Sequence, residues 1–128
     1  ASRHCADSYS RRVLRTSMGT VFRLPLIQSD DLARDVARLE SEFQVEFAAT
    51  VLDAAAESLY DAARPARFGL VFGNEGHGIP PAVAASCRRR VTLPMRNGTD
   101  SLNVGVASGV FLYHFTAPGG AANGGSNA

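Results

Sequence analysis

A chain of 128 residues with 45% hydrophobic content suits one globular domain with a single core and is too apolar for a disordered segment. No apolar run reaches the ~18 residues that span a bilayer, no basic-then-apolar leader opens the chain, and Cys5 and Cys87 form neither a disulfide framework nor a metal pattern, so a reducing cytoplasm is the expected compartment. The net charge of +1 announces no nucleic-acid partner, although all thirteen basic residues are arginine, a residue that grips phosphate bidentately and stacks on bases; genome composition produces the same bias.

Residues 1–9 hold few apolar side chains and read as a loop or a strand end. Ser10 to Ser17 suits a short helix capped by Ser10, which puts Arg11 and Arg15 one turn apart on one face. Two like charges there repel unless an anion sits between them, so the pair is either a phosphate contact or a solvated face. Thr20 to Leu24 is β-rich and closed by Pro25, which predicts a strand. An amphipathic helix follows over Asp30–Ser41, with Leu32, Val36 and Leu39 at helical spacing. Phe43, Val45 and Phe47 alternate with polar residues as in a strand, and Asp53 to Pro65 reads as a loop with a short helical turn.

Arg67 to Phe72 is apolar after its first residue and is expected as a central strand covered on both faces. A glycine-rich turn leads to Pro80-Pro81, which suits the start of a helix reaching about Cys87. Arg88-Arg89-Arg90 would end that helix, complementing its dipole or contacting RNA. Val91 to Leu93 is a short strand stopped by Pro94. A last helix spans Ser101–Phe115, capped by Asp100 or Ser101, with Leu102, Val106, Val110 and Tyr113 along one face. Residues 117–128, rich in glycine and alanine, read as a flexible tail. Strands alternating with helices give an α/β class with a mostly parallel sheet flanked by helices.

Two stretches carry the chemistry. FGLVFGNEGHGIPP, Phe68 to Pro81, runs from an apolar strand into a turn with three glycines and one carboxylate, the arrangement by which α/β proteins build ligand sites at the carboxyl end of a strand. About twenty residues on, Val91 to Gly109 reads VTLPMRNGTDSLNVGVASG. Together they resemble motifs two and three of the SpoU/TrmH-type RNA 2′-O-ribose methyltransferases of the SPOUT superfamily, and Ser10 to Leu26 resembles the segment between that family's motifs one and two.

The resemblance implies a SPOUT catalytic domain over residues 1–116 whose C-terminal segment threads a loop to make a trefoil knot, with the loops at Gly73–Ile79 and Pro94–Ser101. It implies S-adenosylmethionine as cofactor, held at Gly73, Leu93 and Leu102, with Met95 beside them; Glu75, Ser101 and Asn103 match the polar residues that shape the catalytic pocket. It also tilts Arg11 and Arg15 towards RNA, and implies a homodimer acting on the ribose 2′-hydroxyl of ribosomal or transfer RNA, with no metal and no membrane partner. His77 has no orienting carboxylate and reads as an exposed turn residue. The family's motif one, an asparagine followed six residues later by the arginine that activates the ribose hydroxyl, has no match here. The chain therefore reads as the C-terminal part of such a domain, its first strands missing. Without that arginine, a non-catalytic module that binds RNA or S-adenosylmethionine is the alternative.

Overall fold

The alternation of apolar strands and helices resolves into a four-stranded parallel sheet in this computed structural model, which describes residues 1–95 and 102–117. The sheet runs β2-β4-β1-β3, with β1 at Glu46–Thr50, β2 at Glu57–Ser58, β3 at Phe68–Val71 and β4 at Arg89–Thr92. β1 pairs with β3 (Ala48 opposite Leu70) and with β4 (Thr50 opposite Val91). β3 is at an edge of the described sheet and not central as expected, and only Val71 of its four residues is fully buried.

Two helices cover one face and one the other. Helix α2 (Leu32–Phe43) and helix α3 (Pro81–Ser86) bring Val36 and Val83 against Ala49, Val71 and Cys87. Helix α4 (Val104–Thr116) seats Phe111 and Phe115 on Ala48, Val91, Leu59 and Ala62. Successive side chains of a strand point to opposite faces, so Ala48 serves one layer and Ala49 the other. Phe115 stacks on Phe68 at 5.1 Å between ring centroids, and Phe111 meets Phe72 edge-on at 5.7 Å.

Several boundaries differ from the sequence expectation. Thr20–Leu24 is not a strand: Gly19, at φ 76°, turns the chain into a 3-10 helix over Thr20–Arg23. Helix α2 begins two residues later than expected, where Asp31 caps it through the Arg34 N–H, and it ends at Phe43 because Gln44 turns left-handed. The alternation at Phe43, Val45 and Phe47 thus straddles a helix end, and the strand lies at Glu46–Thr50. Part of the Asp53–Pro65 segment is strand β2, two residues paired with β4.

The triple arginine does not end a helix. α3 stops at Ser86, and Arg89 and Arg90 lie on β4. All three are paired with carboxylates: Arg88 with Glu40 at 4.0 Å, Arg90 with Asp53 at 3.0 Å, and Arg89 with both Glu46 (2.9 Å) and Glu57 (2.6 Å). Helix α4 also differs. Its cap is Asn103, and of the expected stripe Leu102, Val106, Val110 and Tyr113, the last three face solvent, with Tyr113 76% exposed. The helix is apolar on nearly every side, so spacing alone could not say which side is inward.

Candidate cofactor site

In a parallel sheet, ligand sites form where the loops leave the carboxyl ends of the strands. Here the segments after β1, β3 and β4 and the start of α4 enclose a cavity of about 600 Å3. That is within the ~300–1,000 Å3 of typical small-molecule sites. Gly73, Glu75, Leu93, Met95, Leu102 and Asn103, all singled out from the sequence, line it. Ser101 lies outside the described residues, as does the turn from 96 to 100.

The loop after β3 is a closed hoop. Asn74 and Gly78 exchange backbone hydrogen bonds at 3.0 and 2.8 Å, and the Asn74 Oδ1 accepts the N–H groups of Gly76 (2.8 Å) and His77 (3.3 Å). Glu75 is therefore held at the exposed tip of a rigid turn. Gly78 has φ 69°, a conformation that favours glycine. At Gly73 the constraint is space, because the hoop's own returning backbone occupies the place of a side chain. His77 is exposed, and its ring nitrogen comes no closer than 3.5 Å to Asn74 Oδ1. Among the described residues no carboxylate pairs with it.

Asn103 ends the opposite wall. Its Oδ1 accepts the Gly105 N–H at 2.8 Å and caps α4. The side-chain N–H2 has no acceptor among the described residues.

The sequence reading missed the third wall. Thr50 at the end of β1 and Val51 and Leu52 after it lead into the cavity, and Phe72, Ile79 and Phe111 complete its apolar lining. The Thr50 hydroxyl donates to the Val71 carbonyl at 3.0 Å and ties the ends of β1 and β3 together. The signal was present in the apolar run up to Leu52, but it emerges only once β1 is placed at residues 46–50. Apolar walls flanked by loop backbone suit a purine nucleoside: the walls take the ring faces, and the backbone N–H and C=O groups take its mixed donor and acceptor edge. Among the described residues no three His, Cys, Asp or Glu side chains could hold a metal ion.

Arg11 and Arg15 do not border this cavity. With Arg12 and Thr16 they line a separate concavity of about 580 Å3 on helix α1 (Arg11–Thr16), which Ser10 caps as expected.

The model of the SpoU rRNA Methylase family matches residues 1–113. The chain belongs to the SpoU rRNA methylase family. It is 31% identical over 99 residues to the 23S rRNA (guanosine-2′-O-)-methyltransferase RlmB of Acinetobacter baylyi, a match covering 77% of this chain and 40% of that one. Among solved structures, a putative RNA methyltransferase of the TrmH family from Porphyromonas gingivalis superposes with a TM-score of 0.78 at 29% identity, covering 89% of this chain and 46% of the other. The SpoU methyltransferase AviRb from Streptomyces viridochromogenes, solved in complex with AdoMet, does so with a TM-score of 0.77 at 25% identity and the same coverage. This SpoU-family chain thus spans less than half the length of each of these three proteins.

Proposed function

We propose that this chain forms the cofactor-binding part of an S-adenosylmethionine-dependent methyltransferase acting on the ribose 2′-hydroxyl of ribosomal or transfer RNA. One observation carries the reading: the Gly73 hoop and Leu93, Met95, Leu102 and Asn103, distant from it in sequence, line one cavity at the carboxyl end of the sheet. The bound cofactor supplies an electrophilic methyl group on a sulfonium. Leu93 and Leu102, with Met95, hold the adenosine half between apolar walls and loop backbone. Gly73 lets the hoop close against it. The Asn103 amide positions the ribose or its phosphate, a role that Ser101 shares by its match to the family motif, and Glu75 borders the reacting end. Held by these residues, S-adenosylmethionine would supply the methyl group taken by the ribose 2′-oxygen, whose proton would pass to solvent.

The RNA partner is supported by Arg11 and Arg15, which bear no carboxylate partner among the described residues and suit phosphate. The reading places residues 1–116 in one SPOUT domain with the family's trefoil knot, and the protein in the cytoplasm. It also includes a homodimer, supported by the exposed apolar face of α4: Val106 and Tyr113 are 56% and 76% exposed, more apolar surface than one helix usually leaves in water. Sedimentation of the chain at rising concentration tests this, and Val106→Glu should shift it to the monomer. No helix among the described residues is long and apolar enough to cross a membrane.

Calorimetric titration with S-adenosylmethionine tests the site. Micromolar binding, about −8 kcal/mol, is expected from the folded chain and should be lost in Leu102→Asp. Absence of heat from a chain that circular dichroism shows to be folded overturns the assignment. Methyl transfer to RNA is then read as alkali resistance at the modified nucleotide, because the 2′-hydroxyl is the nucleophile of alkaline cleavage.

A further inference from the structure

The charges of this chain are segregated. From Ser8 to Ser29 there are four arginines, Arg11, Arg12, Arg15 and Arg23, and no carboxylate. All four are exposed, and none lies within ion-pair distance of a carboxylate among the described residues. Elsewhere the described arginines are engaged. Arg3, Arg34, Arg38, Arg88, Arg89 and Arg90 pair with Asp or Glu, while Arg64 and Arg67 donate to backbone carbonyls. A net charge of +1 thus conceals a basic pole on α1 and the turn that follows it.

An aromatic pair lies at that pole. Tyr9, just before the cap of α1, stacks on Phe22 of the 3-10 turn with ring centroids 5.9 Å apart. Both remain open, Tyr9 51% and Phe22 68% exposed. Unpartnered guanidinium groups beside an open aromatic face are the two parts of a single-strand site: the charges track phosphates and the ring takes an unstacked base. Duplex RNA keeps its bases stacked inside and offers nothing to the ring.

We propose that this pole binds unpaired RNA, with Arg11, Arg12, Arg15 and Arg23 on successive phosphates and the Tyr9–Phe22 pair as a stacking platform for one base. The proposal rests on the RNA reading above and sharpens it: the segment engaged is a loop or single strand. It also adds Arg12, Arg23, Tyr9 and Phe22 to the contact surface.

The test is fluorescence anisotropy of the chain with a short labelled oligouridine and with a blunt RNA duplex of the same length, each over a salt series. The chain should prefer the single strand. Tyr9→Ala and Phe22→Ala should each weaken single-strand binding about tenfold and leave duplex binding unchanged. Arg12→Gln should weaken both and lower the salt slope by about 0.7. Circular dichroism checks the folding of each variant, and binding of S-adenosylmethionine should be unaltered in all of them. Equal affinity for the two RNAs, or wild-type single-strand affinity in Tyr9→Ala and Phe22→Ala, overturns the platform and leaves the RNA reading standing. Aromatic variants that change sedimentation without changing RNA affinity mark the pair as a protein contact and also overturn it. Binding of neither RNA overturns both readings, whereas the cofactor site stands or falls on its own titration.

Discussion

Gly73 lies directly beneath the residue that closes its own loop: a methyl group on its Cα would overlap the Gly78 carbonyl carbon. The obstacle is backbone, held by the paired hydrogen bonds between Asn74 and Gly78, so it cannot swing aside. Gly73→Ala should force the hoop open. Since the hoop is a loop outside the core, the stability cost should be modest, about 1–3 kcal/mol. The cofactor cavity should suffer more, with S-adenosylmethionine affinity falling at least tenfold in calorimetry. Wild-type affinity in a folded Gly73→Ala protein would mean that the hoop is not part of the grip.

Arg89 should matter to stability, not to chemistry. Its guanidinium, 16% exposed, joins Glu57 on β2, Glu46 on β1 and the Ala63 carbonyl. Those carboxylates raise its pKa, the hydrogen bond to Glu57 foremost, so it stays charged throughout the working range. Arg89→Met leaves Glu46 and Glu57 without their shared cation. Discounted for partial exposure, the loss should be about 2–3 kcal/mol, read as a lower urea midpoint. A midpoint within error of wild type would show the network to be no more than a surface pair.

How much of this was legible in the sequence depends on the interaction involved. The Gly73 hoop and the loop positions Leu93, Met95 and Leu102 were readable because turn chemistry is local: glycine spacing and proline stops mark loops whatever surrounds them. The strand at Thr20 failed for the opposite reason. β-branched and aromatic residues favour strands only where a ladder exists, and Gly19 turns the chain into a 3-10 helix instead. The inward face of α4 was not readable, since both sides are apolar and only Phe111 and Phe115 meet the sheet. The triple arginine was misread because its partners, Glu40, Glu46, Asp53 and Glu57, lie far off in sequence.

The two cysteines should behave differently. Cys5 is exposed, whereas Cys87 is buried beneath α2 and α3, where desolvation and then Glu40 raise its pKa. The thiolate is the reactive form, so the native protein should expose one fast thiol to a disulfide reagent and the unfolded protein two. A raised pKa means that the folded state holds this proton more tightly than the unfolded chain. Its contribution is complete below the ordinary value of 9.0 and is lost as pH rises through the raised one, so stability should fall above pH 9.0. Two equally fast thiols in the native protein would show that α3 does not close over Cys87.

Asn103 combines two functions that substitution can separate. Its Oδ1 caps α4 through the Gly105 N–H, the residue lines the cavity, and its amide N–H2 has no acceptor among the described residues. Aspartate keeps the capping oxygen and is as good a cap, with a charge that favours the helix N-terminus, but it has no N–H to give. Asn103→Asp should therefore melt at the wild-type temperature, while methyl transfer to RNA by the intact protein falls about a hundredfold, the usual cost of one positioning donor. Asn103→Ala should lose the transfer and about 1 kcal/mol of cap stability as well. The two variants together decide the role. If Asn103→Asp retains the wild-type rate, the residue is a cap alone and the ribose must be held by another group. If both variants lose the rate and only the alanine loses stability, the amide acts on the substrate and the cap is its support.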